Sequence, residues 1–326
     1  MTTAILLLTA GLALLLAGAN FLVDSAIAIA RRAKISDFAI GIAVVGIGTS
    51  LPELFVSVSS AIQGMGDMAV GNVVGSNICN IFLILGITAI ISPFAVTRQN
   101  MARDIPFGIL VSVLLLLLCS DTLFPRIIRD EVGRLDGLVF LLIFAGYMAI
   151  AIMHSKKEEK SRHENEENAT SRLSGKPAIL LWAVAAVSLA ALLYGGNMFL
   201  DNTVTLARQC GISDKVVSLT IVAVGTSLPE LVTCIVAAIK KSPQLAMGNV
   251  LGSNIFNILG ILGISSLINP LVLTDVNIID FCVMILAAVL TFVCAFTFKR
   301  HTIDRHEGII FVALYIAYIA CTVIFQ

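Results

Sequence analysis

Two glutamates, Glu53 and Glu230, stand in identical heptapeptides, Gly-Thr-Ser-Leu-Pro-Glu-Leu at 48–54 and at 225–231, each inside a long apolar run. On a helix, residues three and four positions earlier share a residue's face, so Thr49 and Ser50 fall beside Glu53, and Thr226 and Ser227 beside Glu230. Proline has no N–H and its ring collides with the carbonyl four residues back, so Pro52 and Pro229 interrupt the ladder at Gly48 and Gly225. Each copy thereby gathers a carboxylate, two hydroxyls and freed carbonyls at one break. All are oxygen ligands, and hard cations such as Ca²⁺ and Na⁺ take oxygen.

A carboxylate at mid-membrane costs at least about 2.5 kcal/mol even on the mildest insertion scale, so it is normally functional and paired. No Lys or Arg lies deep in any apolar run to pair these two. A proton or a bound cation remains. Two glutamates facing each other carry a charge of −2, which one Ca²⁺ or two Na⁺ would cancel.

Each copy continues into a second motif, Gly-Asn-x-x-Gly-Ser-Asn-Ile-x-Asn, at 71–80 and 248–257. Ser76 shares a face with Asn80, and Ser253 with Asn257. Gly71 with Gly75, and Gly248 with Gly252, are spaced for close helix approach. Asn72, Asn77, Asn249 and Asn254 read as partners for backbone groups freed at the breaks, which must be satisfied in lipid. Asp24 and Asp201, late in the first and sixth apolar runs, suit either a helix-end role or one in ion access.

The elements that position these groups are membrane spans. Of 326 residues, 58% are hydrophobic and only 13% charged, against about 25% charged in soluble domains; mean hydropathy is +0.99. Apolar runs fall at 4–30, 37–62, 68–91, 105–120 and 136–153, and again at 177–206, 213–239, 245–268, 277–298 and 308–325. The expected fold is an all-α membrane protein of ten transmembrane helices. It divides into a first five-helix repeat at 1–153, a polar linker at 154–176 and a second repeat at 177–326. The N-terminal run has no basic flank of the kind a signal peptide carries and reads as the first span. The seven cysteines form no C-x-x-C pair, and the four histidines sit in polar segments, so neither type suggests a metal site in the membrane. Zero net charge argues against a nucleic-acid partner.

A shift of 177 residues lays 46–87 on 223–264 without a gap, with 23 of 42 positions identical. It also pairs Asn20 and Asp24 with Asn197 and Asp201, and Ile-Ser-Asp at 35–37 with the same triplet at 212–214. Five spans per repeat is odd, so the copies cross the bilayer in opposite senses, an inverted repeat common in secondary transporters. With the N-terminus outside, inward connections hold 16 of the 21 Lys and Arg and outward ones 5. The positive-inside rule then places both termini outside and the linker in the cytoplasm of a plasma (inner) membrane protein.

The paired motifs resemble the two α-repeats of the Na⁺/Ca²⁺ exchanger family, prokaryotic type, within the Ca²⁺:cation antiporters, and the resemblance spans the whole chain. It implies a secondary-active antiporter working by alternating access, not an enzyme, with Ca²⁺ and Na⁺ as substrates and no further cofactor, and it is compatible with a monomer. Carried over by position, Glu53 and Glu230 are the shared Ca²⁺ and Na⁺ carboxylates, and the carbonyls of Thr49 and Thr226 complete the Ca²⁺ site. The hydroxyls of Ser50, Ser227, Ser76 and Ser253 serve flanking Na⁺ sites with carbonyls at Gly46 and Ala223, and Asn80 and Asn257 take the central position. Structurally characterised archaeal members and potassium-dependent relatives are similar but carry Asp where this chain has Asn257, which leaves two acids here and a weaker case for K⁺. A Ca²⁺/H⁺ exchanger and a cation channel are the competing readings, since a dry glutamate can also load a proton and acidic groups also line filters. An intramembrane hydrolase lacks its nucleophile–base pair or metal motif.

Overall fold

The computed structural model describes residues 2–119, 131–162, 171–210, 223–273, 278–297 and 301–325. Residues 163–170 of the linker, the triplet at 212–214, the start of the run at 213–239, and Arg126, Arg129, Lys215, Lys299 and Arg300 lie outside it, as do the side chains of 156–162.

The apolar runs become helices, as their composition demands, because a backbone in lipid must satisfy its polar groups within the segment. They are α1 (Thr2–Ala33), α2 (Asp37–Thr49), α3 (Leu51–Ile62), α4 (Gly66–Ile91), α5 (Asn100–Leu118) and α6 (Arg134–Arg162). The second half supplies α7 (Ala178–Gln209), α8 (Leu228–Ile239), α9 (Pro243–Ile268), α10 (Ile278–Cys294) and α11 (Arg305–Phe325). Among the described residues seven are long and apolar enough to cross a membrane. The bent pair α2–α3 makes an eighth, and α8 and α10 are shorter apolar helices. Large apolar side chains such as Phe55, Leu142, Ile179 and Val187 stay exposed, an outward apolar surface that water would penalise and lipid would not.

Burial sorts the helices. In α4 and α9, 72% and 83% of the apolar window is buried, against 28% in both α1 and α7. The centre therefore belongs to α4 and α9, the carriers of the second motif. Both pass through a wider π-helical stretch, Cys79–Leu85 in α4 and Phe256–Ile261 in α9. Such bulges interrupt the regular ladder and are frequent at functional sites.

Two antiparallel ribbons tie connections together. Phe94–Ala95 (β1) pairs with Thr302–Ile303 (β4), and Glu131–Val132 (β2) with Leu271–Val272 (β3). Gln244 on α9 donates to the Ala95 carbonyl at 2.7 Å, and Asn269 donates to the Ala61 carbonyl at 2.8 Å. The first ribbon joins two connections assigned from charge to one side of the membrane, and the second joins two assigned to the other.

The long, peripheral α1 and α7 pack on each other along their length. Gly18 and Gly195, which the 177-residue shift superimposes, make that approach possible. A Cβ on Gly18 would lie 2.6 Å from the Leu192 amide nitrogen, and one on Gly195 2.6 Å from that of Leu15. Gly248 and Gly252 behave as the spacing predicts, since a Cβ on Gly248 would strike the Phe38 carbonyl oxygen and one on Gly252 would lie 2.7 Å from the Ile42 Cα. Among the described residues nothing lies within 4 Å of a Cβ placed on Gly71 or Gly75; their repeat-related neighbours, 215 and 219, are outside those residues.

Gly18→Val and Gly195→Val should each force α1 and α7 apart and destabilise the protein by about 1–3 kcal/mol, the usual cost of overpacking. Lowered thermal midpoints of the purified variants in detergent would show it; unchanged midpoints would mean that the two helices do not need this contact.

Candidate functional site

The two heptapeptides fold as the proline rule requires, with one refinement. Pro52 and Pro229 each sit in the first turn of a new helix, α3 or α8, where a missing N–H leaves nothing unsatisfied and the fixed φ is already helical. The break falls at Ser50 and Ser227, which stand at the N-caps of those helices with φ −82° and −90°. Helix α3 consequently leaves α2 at an angle of 49°. Glu53 and Glu230 lie in the first turns, where the positive end of the helix dipole favours a negative group.

At that point the halves exchange partners. Ser50 donates its hydroxyl to Oε1 of Glu230 at 3.0 Å, and Ser227 donates to Oε1 of Glu53 at 3.3 Å. Both glutamates are 1% exposed, and neither forms an ion pair with a described Lys, Arg or His. Their second oxygens, Oε2 of Glu53 and of Glu230, are buried without a hydrogen-bond partner, and so are Oδ1 of Asn80 and of Asn257. Of the six buried side-chain oxygens left without a partner among the described residues, which include Oδ2 of Asp24 and Oγ of Ser265, four thus fall on the residues predicted from sequence as the site's carboxylates and central asparagines. An unpaired buried acceptor is costly, and four related by one sequence shift are the mark of a position meant for something positive.

The remaining predicted residues surround them. Thr49 is fully buried, with its hydroxyl 3.0 Å from the Val45 carbonyl and 3.2 Å from Oδ1 of Asn249. Ser253 donates to the Gly46 carbonyl at 3.2 Å, bringing together two of the groups predicted for the flanking Na⁺ positions. Ser76 is buried on α4, against which the short turn Ala223–Gly225 packs. Thr226 lies part-buried in the turn before α8.

The supporting asparagines were expected to meet backbone groups; their side-chain partners were not anticipated. Asn72 donates to the Glu53 backbone carbonyl at 3.2 Å and to the Ser57 hydroxyl at 2.9 Å. Its counterpart Asn249 donates to the Cys234 thiol at 3.1 Å, and Cys234 is the residue that the 177-residue shift places on Ser57. Applying the shift to every polar residue near the motifs, not only to the motifs, would have found this pair.

Asp24 and Asp201 stand apart from the cluster and differ from each other. Asp24 is buried and ion-paired with Lys240 at 2.8 Å, and the same ammonium donates to the Asn20 carbonyl at 2.7 Å. Asp201 is exposed, and the shift places Gln63 where its lysine would be. Asp24 thus resolves as the anchor of α1 to the end of α8.

Comparison with known proteins points the same way. The sequence profile described as "Sodium/calcium exchanger protein" matches residues 3–153 and 180–324. The chain is 31% identical to the sodium/calcium exchanger MaX1 of Methanosarcina acetivorans, over 98% of each chain. It is 36% identical to the inner membrane protein YrbG of Escherichia coli, over 83% of this chain and 81% of that one. Its structure resembles that of the sodium-calcium exchanger NCX_Mj soaked with Na⁺ and Sr²⁺, with a TM-score of 0.81, 32% identity and 98% of each chain covered.

Removing one carboxylate charge leaves the other buried without its compensating ion, a loss of about 3–5 kcal/mol. Glu53→Gln and Glu230→Gln should therefore each weaken Ca²⁺ handling by at least about a hundredfold, at normal expression, in a radiolabelled Ca²⁺ uptake assay. Near-normal uptake by either variant would remove that glutamate from the site. Lys240→Met strands the buried Asp24 and should lower the thermal midpoint in detergent without the same collapse of Ca²⁺ affinity.

Proposed function

The chain belongs to the sodium/calcium exchanger family and is an antiporter of Ca²⁺ and Na⁺, and from that premise we propose that Glu53 and Glu230 carry the exchanged ions. The observation that carries the assignment is the set of four unmet oxygens, Oε2 of both glutamates and Oδ1 of Asn80 and Asn257. Ca²⁺ takes six to eight oxygen ligands. The four oxygens supply part of that shell, and the backbone carbonyls of Thr49 and Thr226 add to it. The hydroxyls of Ser50, Ser227, Ser76 and Ser253, with the carbonyls of Gly46 and Ala223, provide flanking positions for Na⁺.

Exchange follows from electrostatics. With both carboxylates ionised and no cation bound, the site holds −2, and moving that charge past an apolar barrier is heavily penalised. Ca²⁺ cancels it, and so do two Na⁺. The loaded forms can therefore change their accessible side while the empty form resists, and a ligand shifts such an equilibrium only through its differential affinity for the two states. Because Ca²⁺ and Na⁺ use overlapping oxygens, one leaves as the other arrives. The proposed frame is ten spans in two inverted five-helix repeats, with both termini outside, the linker cytoplasmic, and α1 with α7 as the moving pair. Inward Na⁺ then drives Ca²⁺ out.

Proteoliposomes loaded with Na⁺ should accumulate radiolabelled Ca²⁺ when the Na⁺ gradient is directed outward, and replacing Na⁺ by choline at equal ionic strength should abolish the uptake. Undiminished uptake driven by a pH gradient in choline would make the counter-ion a proton. Unsaturable Ca²⁺ flux without any counter-ion would make the protein a pore.

A further inference from the structure

The unmet oxygens of Asn80 and Asn257 raise a question that their burial does not answer. A carboxamide has one oxygen and one NH₂ group at nearly the same place, and the terminal torsion of asparagine is broad and roughly two-fold. Turned one way it offers a cation its oxygen. Turned the other way it offers N–H donors, whose dipole repels the cation. Something must choose.

The choice is made across the repeat. Asn80 donates Nδ2 to Oδ1 of Asn254 at 2.9 Å, and Asn257 donates Nδ2 to Oδ1 of Asn77 at 3.0 Å. The two holders are themselves fixed: Asn77 donates to the Asn254 carbonyl at 3.2 Å, and Asn254 to the Asn77 carbonyl at 3.4 Å. All four residues are buried, and the 177-residue shift exchanges Asn77 with Asn254 and Asn80 with Asn257. Turning either central amide over would set its oxygen against the holder's oxygen and lose a buried hydrogen bond. Each central amide thus keeps its nitrogen toward the opposite repeat and its oxygen free.

We propose that Asn77 and Asn254 are positioning residues for ion binding: they touch no ion, but by accepting from the amide nitrogens of Asn257 and Asn80 they fix the carbonyl oxygens of those residues as ligands. The inference rests on the ion-site assignment above. It also gives Asn257 a reason to be an amide. The Asn77 oxygen welcomes an N–H donor and would oppose a carboxylate.

The decisive comparison is Asn254→Asp against Asn254→Leu, in the full-length protein in proteoliposomes, with the KM for Ca²⁺ read separately from the maximal rate. The aspartate keeps an oxygen for the Asn80 amide; the leucine keeps the branching at Cγ but has none. If Asn254 only packs α4 against α9, the apolar leucine is the milder change and the buried charge the harsher. The proposal requires the reverse order. Asn254→Leu should raise the KM for Ca²⁺ by at least about tenfold, while Asn254→Asp stays within about threefold of wild type. Asn77→Leu and Asn77→Asp should repeat the order through Asn257, and they serve if Asn254→Leu does not accumulate.

A leucine variant with wild-type KM overturns the proposal. So does an aspartate variant that binds Ca²⁺ as poorly as the leucine or fails to fold. Because KM for Ca²⁺ is read whatever counter-ion drives uptake, wild-type uptake that ignores Na⁺ would sink the antiport reading and leave this one standing.

Discussion

Two carboxylates, buried to 1% and held crosswise by serines from the opposite half of the chain, set the terms for everything else in this molecule. Each hydroxyl occupies one oxygen of its glutamate and leaves the other oxygen bare. No basic side chain comes to their aid among the described residues. An arrangement of that kind is unstable in a dry interior unless a cation or a proton is present, so the fold is built around a guest.

The surrounding architecture answers that constraint. Breaking α2–α3, and the chain ahead of α8, at a serine two residues before a proline turns two helix starts toward the glutamates, where their dipoles help an ionised group. Carrying the second motif on the two most buried helices, α4 and α9, keeps its asparagine amides away from lipid. The glycines sort by the same logic. Gly248 and Gly252 bring α9 against α2 near the site, whereas Gly18 and Gly195 bring the peripheral α1 and α7 together. The asymmetry of Asp24 and Asp201 shows that the halves are not interchangeable: one long helix is tethered to Lys240 and its counterpart has no equivalent lysine.

Much of this was legible in the sequence because membrane burial leaves so few reasons for a polar residue. Glu53 and Glu230 could be singled out from their depth alone, and the 177-residue shift supplied their relationship before any coordinate. The break was legible too, although its mechanism differs slightly: Pro52 and Pro229 open new helices instead of kinking continuous ones, because the serine ahead of each leaves the helical range. The partnerships of Asn77, Asn254, Asn72 and Asn249 were not legible. A spacing says which residues share a face of one helix, whereas these bonds cross between helices of different repeats and depend on how α4 and α9 are juxtaposed. The Asp24–Lys240 pair was hidden for the same reason, since it joins residues 216 positions apart.

The central claim is that one position between Glu53 and Glu230 is shared by Ca²⁺ and Na⁺. Direct measurement of radiolabelled Ca²⁺ bound to the purified protein, by equilibrium dialysis in detergent across a series of Na⁺ concentrations, tests it without any transport step. The account predicts one Ca²⁺ per chain at saturation and an apparent affinity that falls as Na⁺ rises while the number of sites stays fixed. Binding that Na⁺ leaves untouched, or no saturable Ca²⁺ binding in the absence of Na⁺, would contradict it.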